Sequence, residues 1–393
     1  MQKVFRAILA GAIAGSLALS APAMAQQQKI KIGFITTLSG PLGAIGKHMK
    51  DSVELALDHL NHRVGGLETE VMYKDDQVKP DVGVQAAEEL LKKDQVDFVA
   101  GIIWSNVMMA VAPVVNGAGK IMVGANAGAS PLAGNQCNEL YFSASWNNDQ
   151  TPEAMGKFLT DSKINDLYVL APNYQAGKDM VAGLKRFYKG RIVEEVYTKL
   201  GQLDYQAEIS QLRSKNPKAV FIFYPGGMGI NFIKQYVQAG LRESTPLYSV
   251  FTVDETTLPA LGEAAVGQWE TRFWSPDLKI PASQKYVNDF RKKFGYTPSN
   301  YGAQSYDAIM MIDAAVRGTK GNVKDTQALV KELRKANFNS IRGKFEFNTN
   351  HHPIQDFYLL RAVKGPKEVE MHIEKKVFEK HKDAYYQDCK MKW

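Results

Sequence analysis

The 393-residue sequence is poor in the residues and motifs that carry chemistry. It has two cysteines and seven histidines. Neither C-x-x-C nor H-E-x-x-H occurs, which removes the common redox and zinc-hydrolase patterns. A G-x-S-x-G nucleophile elbow is missing, as is a G-x-x-x-x-G-K-[ST] phosphate loop. Low-complexity tracts and short-period repeats are absent too, so neither a solenoid nor a long disordered segment is expected. Asp75 and Asp76 leave a strand as neighbours and point apart, so they read as loop rather than as an acid/base pair. His59 and His62 sit three apart beside Asp58, but an exposed polar helix face explains them better than a metal site. His351-His352 reads as a turn. Catalytic residues, a metal and a cofactor are therefore not expected.

What is present is ordinary soluble composition, 45% hydrophobic and 23% charged, with length enough for two cores. The N-terminus carries Lys3 and Arg6, an apolar run over 7–19, Pro22, and Ala23-Met24-Ala25. This is a secretory leader at 1–25 with an A-x-A cleavage site, and the mature chain would start near Gln26. The run is too short to span a bilayer, which takes about 20 residues, and no later segment is longer and apolar. Losing Lys3 and Arg6 takes the net charge from +7 to +5. The remaining lysines are scattered, with a late concentration over 364–392. That reads as a solvated surface, and export argues against a nucleic-acid partner. In an exported chain the even pair Cys137 and Cys389 suggests one disulfide tying the tail back across the molecule. Two separate thiols are the alternative.

From residue 29 the pattern alternates short apolar runs with amphipathic stretches. Strands are expected at 31–36, 70–73, 96–101 and 121–123, with helices at 46–60, 81–93 and 107–116 between them. Repeated β-α-β implies a mostly parallel sheet covered by helices. The rhythm restarts after Ser145. It gives strands at 166–170, 192–197, 219–223 and 247–250, and helices at 151–159, 178–188, 205–213 and 229–239. Further helices are expected at 283–294, 304–317 and 325–336, then a strand at 343–347 and an antiparallel pair at 356–363 and 369–374. The expected fold is α/β: two Rossmann-like lobes with parallel sheets, joined by a three-strand hinge near Ser145, Trp274 and Asn350. Residues 29–145 with 275–350 form one lobe; 146–274 with 351–393 form the other and the tail. None of the crossings is Gly/Ser-rich, so the lobes are expected to move as rigid bodies around a cleft.

KIGFITTLSGPLG at 31–43, Asp75-Asp76-Gln77 with Lys79-Pro80, and VDFVAGIIWS at 96–105 follow one another in order. GANAGASPL at 124–132, the region 174–177, and Tyr306-Asp307-Ala308 continue it. This ordered set resembles the type I periplasmic binding proteins of the leucine/isoleucine/valine-binding group, over essentially the whole mature chain. Trp274-Ser275-Pro276-Asp277-Leu278 and the late cysteine resemble the branch that binds aromatic carboxylates such as benzoate, 4-hydroxybenzoate and cinnamate-type acids.

Ligands of open parallel sheets sit beyond the carboxyl ends of strands, so the loops there hold the candidate residues. The 38–43 loop opens a helix; its glycines allow close approach, and Ser39 adds a hydroxyl near free N–H groups. Trp104 and Ser105 follow the third strand. Ser105 reads as a helix cap, and the resemblance implies that its hydroxyl bonds a ligand carboxylate. Asn126, Ala127 and Gly128 follow the next strand. The family uses backbone groups here and a hydroxyl where this chain has Gly128, a departure that suggests room for a flat ring. From the second lobe, Tyr174 and Tyr224 offer rings for stacking. Phe251 and Asp254 lie in the region where amino-acid binders keep an acid, with Glu255 as the alternative residue. Trp146 and Asn147 at the first crossing would cover the site.

The resemblance implies a monomeric periplasmic receptor that closes on a small aromatic carboxylate and delivers it to an ABC permease in the inner membrane. A branched-chain amino acid or an amide is the alternative ligand. A periplasmic enzyme or a sensor partner is the alternative class.

Overall fold

Strand Lys29–Thr36 (β1) shows why the fold is layered. Its Ile30, Ile32, Phe34 and Ile35 have no exposed surface, as a strand covered on both faces requires. The computed structural model of the chain describes residues 29–392; the leader expected at 1–25 lies outside them. β1 pairs in parallel with Leu67–Asp75 (β3) on one side and Phe98–Gly101 (β4) on the other, after a short strand Arg63–Val64 (β2). Ile121–Gly124 (β5) and Tyr141–Ser143 (β6) complete a sheet of order β2-β3-β1-β4-β5-β6.

The second sheet begins with Asp166–Pro172 (β7), Arg191–Thr198 (β8), Ala219–Ile222 (β9), Leu247–Ser249 (β10) and Trp269–Arg272 (β11), all parallel. Glu346–Phe347 (β12), Pro353–Lys364 (β13) and Val369–His381 (β14) extend it as antiparallel strands. Both sheets are therefore mixed at an edge rather than wholly parallel. In each, the first strand in sequence lies between later ones, β3-β1-β4 and β9-β7-β8. That places a topological switch point, where loops part to leave a crevice, at the carboxyl end of β1 and of β7.

The chain passes between the sheets after β6, after β11 and just before β12. Helices Pro281–Phe294 and Asn300–Gly318 return to the first sheet, where both pack on helix Gly43–His59. Helix Gln150–Asp161 packs on Gln175–Phe187 against the second. The passages are buried: Ser145, Asn147, Asp149 and Asn350 have 1% exposure or less. Arg342 ties two of them together, donating to Ser145 O at 3.0 Å, Gln355 Oε1 at 3.0 Å and Asp307 Oδ2 at 2.9 Å. Asp307 also takes Ser340 Oγ and Ile341 N, so the Tyr306-Asp307-Ala308 motif serves the hinge.

After β14 the chain runs back toward the first sheet. Cys137 and Cys389 are joined by a disulfide, and Asn350 Nδ2 bridges Asp383 and Ala133 O. Among the described residues no helix is long and apolar enough to cross a membrane.

Two outcomes follow for stability. The paired substitution Cys137→Ser with Cys389→Ser should cost roughly 2–5 kcal/mol, read as a lower urea midpoint than the oxidised parent. Burial pushes the His48 imidazole down to about 3 from 6.5. The unfolded chain then takes up a proton that the folded one refuses, so stability falls as pH drops from 6.5 toward 3. His48→Phe should reduce that slope by up to about 1.4 kcal/mol per pH unit, measured by urea unfolding at pH 7, 6 and 5.

Candidate functional site

The carboxyl ends of the two sheets face one another, and the loops there enclose a small cavity. From the first sheet come Ile103, Trp104 and Ser105 after β4 and Asn126 after β5; from the second, Tyr174 and Ala176 after β7, Phe223 and Pro225 after β9, and Phe251 after β10. Trp146 and Asn148 enter from the first crossing and Tyr301 from the start of helix Asn300–Gly318. The free space is about 20 Å³, the scale of one ordered water.

The walls are aromatic. Trp146 stacks on Phe251 with centroids 4.2 Å apart, and Tyr174 lies nearly parallel to Phe223 at 6.3 Å. Trp104 faces Tyr174 across the cleft at 6.3 Å. The Trp104 ring is fixed by its Nε1 donating to Thr37 Oγ1 at 2.8 Å, and Thr37 in turn donates to Asp76. Asp75 accepts Leu38 N, so both acids of the adjacent pair hold a loop.

Two wall segments are strained. Ile102 and Phe251 have positive φ, 67° and 49°, which a branched or bulky residue adopts only at a cost. Each is pinned by its neighbours. Ile102 donates to Ile35 O and accepts from Ala127 N. After Phe251, the N–H groups of Thr252 and Val253 both reach Glu270 Oε2. Glu270 is bound by Arg272, which also holds Glu255 at 3.0 Å. Burial raises the Glu255 carboxyl to about 7 against the opposing pull of Arg272.

One end of the cavity is built to donate hydrogen bonds. Helices Ser105–Gly117 and Gln175–Phe187 begin at it, and neither has a side-chain cap, leaving first-turn N–H groups for another acceptor. Ser105, 1% exposed, accepts from Asn148 Nδ2 at 3.0 Å. Asn148 Nδ2 also donates to Asp179 Oδ2 at 2.8 Å, and Asn148 Oδ1 accepts Gly128 N at 3.2 Å. The cavity lining contains no Asp or Glu. Two lining polar atoms, Trp146 Nε1 and Tyr301 OH, have no protein partner.

Of the residues expected from sequence, Trp104, Ser105, Asn126, Tyr174 and Phe251 line this cavity. Asn126 is braced by Ile103 O and by Gln304. Ala127 lies behind the wall, its carbonyl accepting Tyr141 OH. Asn147 is buried beside the lining and bonded through its N–H to Gln150; its neighbour Asn148 faces in instead. Tyr224 points into the second core, against Tyr205 and Phe232 with its hydroxyl 3.1 Å from Thr198, and Phe223 takes the place expected of it. Tyr224 and Asn147 each lie one residue from a lining position, because the alternation that fixes facing within a strand ends with the strand. Ser39 is exposed, on the side of Asp75. Its loop meets the second lobe instead: a Cβ at Gly227, the start of helix Gly227–Gln238, would lie 3.1 Å from Pro41 O. Asp254 is buried but outside the lining, with Oδ1 bound to Thr256 N and Oδ2 unpartnered.

Gly128 makes no room for a ring. A Cβ there would lie 2.3 Å from Trp146 O, so the glycine lets the first crossing press against the loop after β5. Tyr301 comes from far along the chain, and only its place at a helix start after Ser299 marked it. His59 bonds Tyr306 OH at 2.8 Å and Asp289 at 3.0 Å; among the described residues no group of three or more such side chains could hold a metal.

A family model described as periplasmic binding protein matches residues 29–367. Leu/Ile/Val-binding protein homolog 6 of Brucella melitensis is 27% identical over 379 residues, covering 94% of this chain and 95% of that one. A solute-binding protein of an ABC transporter from R. palustris, solved with benzoate, is 26% identical with a TM-score of 0.88, covering 93% of this chain and all of that one. Another from Rhodopseudomonas palustris BisB5, solved with 3,4-dihydroxy benzoic acid, is 26% identical with a TM-score of 0.84, over 91% and 99%. A leucine-binding protein of Thermotoga maritima shares the fold at a TM-score of 0.78 and 22% identity.

Gly128→Ala should destabilise the protein by about 1–3 kcal/mol, the usual cost of forcing an atom into a packed contact. Urea unfolding of the purified variant measures it.

Proposed function

This chain belongs to the periplasmic binding protein family, as an ABC-transporter solute-binding protein of two α/β lobes, and on that premise we propose that its ligand is a small aromatic carboxylate. The observation that carries this is the cavity's make-up: rings on facing walls, a hydroxyl and two uncapped helix starts at one end, and no acid in the lining. An α-amino acid brings an ammonium, which needs an anionic partner. Glu255 is committed to Arg272, and Asp254 lies outside the lining with one oxygen committed to Thr256. A carboxylate attached to a ring needs neither.

Binding then proceeds as follows. The lobes, 29–145 with 275–350 and 146–274 with 351–393, rotate about the three crossings. The carboxylate takes the Ser105 hydroxyl and the N–H groups of the two helix starts. Closure slides the ring between the aromatic walls, which part to admit it. Tyr301 OH and Trp146 Nε1, which lack protein partners, are then satisfied by a ring hydroxyl. The loaded monomer presents the solute to its membrane permease, without chemistry on it. Burying a ring contributes about 2–4 kcal/mol, and charge-assisted hydrogen bonds about 1.5–3 kcal/mol each, so a micromolar Kd, about −8 kcal/mol, is within reach.

Calorimetric titration of the purified protein with benzoate, 4-hydroxybenzoate, cinnamate and leucine tests this. An aromatic acid should bind at micromolar Kd or tighter, a ring hydroxyl should tighten it, and Ser105→Ala should weaken it about 10- to 100-fold. Binding of leucine with no aromatic acid bound would overturn the reading in favour of an amino-acid receptor.

A further inference from the structure

We propose that Asn148 and Asp179 fix the hydrogen-bond polarity of Ser105, so that the cavity selects a carboxylate over the isosteric neutral amide. The inference rests on the aromatic-carboxylate reading above and concerns which side chains enforce it.

The direction of each bond is determined by groups that cannot reverse. Gly128 N–H only donates, and it meets Asn148 Oδ1 at 3.2 Å. The amide nitrogen therefore lies on the other side, where it donates to Asp179 Oδ2 at 2.8 Å and Ser105 Oγ at 3.0 Å. A flipped amide would set oxygen against carboxylate and N–H against N–H, so one orientation survives. Ser105 Oγ accepts from Asn148, and among the described residues that is its one recorded hydrogen bond. Its own proton is left to donate, and Ser105 lines the cavity. With helix N–H groups as the remaining donors, that end offers hydrogens to both oxygens of a guest. A carboxylate accepts at both; an amide presents N–H to one of them.

Asp179 supplies the other half of the device. It stands on helix Gln175–Phe187, which packs beside the second sheet, yet Ser130 of the first lobe donates to it twice, from Oγ at 2.7 Å and from N at 3.1 Å. Gln175 Nε2 adds a third contact at 2.8 Å. The carboxylate, 4% exposed, is thus surrounded by donors drawn from both sides of the cleft. Its bonds to Ser130, like the bond from Asn148 to Ser105, exist only with the lobes together, so closing the cleft and orienting Ser105 are one event. Asp179 does not line the cavity; it is a positioning residue.

The test is the ratio of affinities for benzoate and benzamide, by calorimetry, in the parent, Asn148→Asp and Asp179→Asn, with thermal unfolding to confirm each fold. In Asn148→Asp the serine donates to the new carboxylate and turns lone pairs to the guest. The parent should prefer benzoate by at least 100-fold, Asn148→Asp by less than tenfold, and Asp179→Asn by an intermediate factor with faster dissociation in stopped flow. Should Asn148→Asp not fold, Asn148→Ala, which frees the serine to rotate, must still lower the ratio at least tenfold. Variants that bind benzoate and keep the parent's ratio overturn the polarity inference and leave the aromatic-acid reading standing. A parent that binds neither compound overturns that reading, and the inference with it.

Discussion

The side chain of Arg342 ends where two of the crossings meet a helix of the first lobe. Its guanidinium is 5% exposed. It reaches Asp307 on a helix of the first lobe, Ala144 and Ser145 in the first crossing, and Gln355 just past the third. Gln355 bonds Ser145 O in return. Removing a guanidinium from water costs several kcal/mol and is offset only where the donors are well matched. Here they are matched by acceptors from separate segments, so the crossings are held in register by a group that loses heavily if any one departs. The proposed closure is then a rotation about this knot rather than a sliding of one lobe past the other. The disulfide between Cys137 and Cys389 adds a covalent tether from the tail.

A fixed hinge makes the strand-end loops worth straining. Ile102, after β4 in one lobe, and Phe251, after β10 in the other, both take a left-handed backbone. Each costs of order 1–3 kcal/mol, and such residues persist where surroundings over-determine them. The surroundings are visible: β1 and the loop after β5 around Ile102, and the buried Glu270–Arg272–Glu255 cluster around Phe251. The return is rings aimed across the cleft from rigid supports, which a relaxed loop would let swing away.

This division explains what could be read from the sequence. The strands and helices were legible because burial on both faces leaves continuous apolar runs, as in β1, and because helices repeat every 3.6 residues. Ser105 and Trp104 were legible as the turn between an apolar strand and a helix. The faces of loop residues were not, since no periodicity survives past the strand end. Tyr224 and Asn147 each lost their expected place to an adjacent residue, Phe223 and Asn148. Gly128 misled for another reason. A missing side chain marks either space or contact, and only the carbonyl of Trp146 beside it decides for contact. Arg342 left no local mark, because the crossing it ties down at Ser145 lies 197 residues away in the chain, and Tyr301 left only a helix start, because the ring it meets, Phe251, comes from the other sheet.

Asp179 is a buried acid beside the proposed carboxylate site, and like charges repel. At roughly 7 Å and an effective dielectric of about 20, the repulsion between Asp179 and an anionic guest is about 2 kcal/mol. Part is offset by the helix starts at Ser105 and Gln175, whose partial positive charge contributes about 0.3–1 kcal/mol each toward an anion. The donors of Ser130, Asn148 and Gln175 stabilise the acid itself. What remains of the penalty has a use. Asp179 meets its full set of donors only when the lobes are together, so the acid rewards closure while the repulsion limits how tightly the closed form holds its guest. A receptor that must surrender its cargo to a permease is served by that balance, where a neutral latch would lengthen the hold without shortening the release.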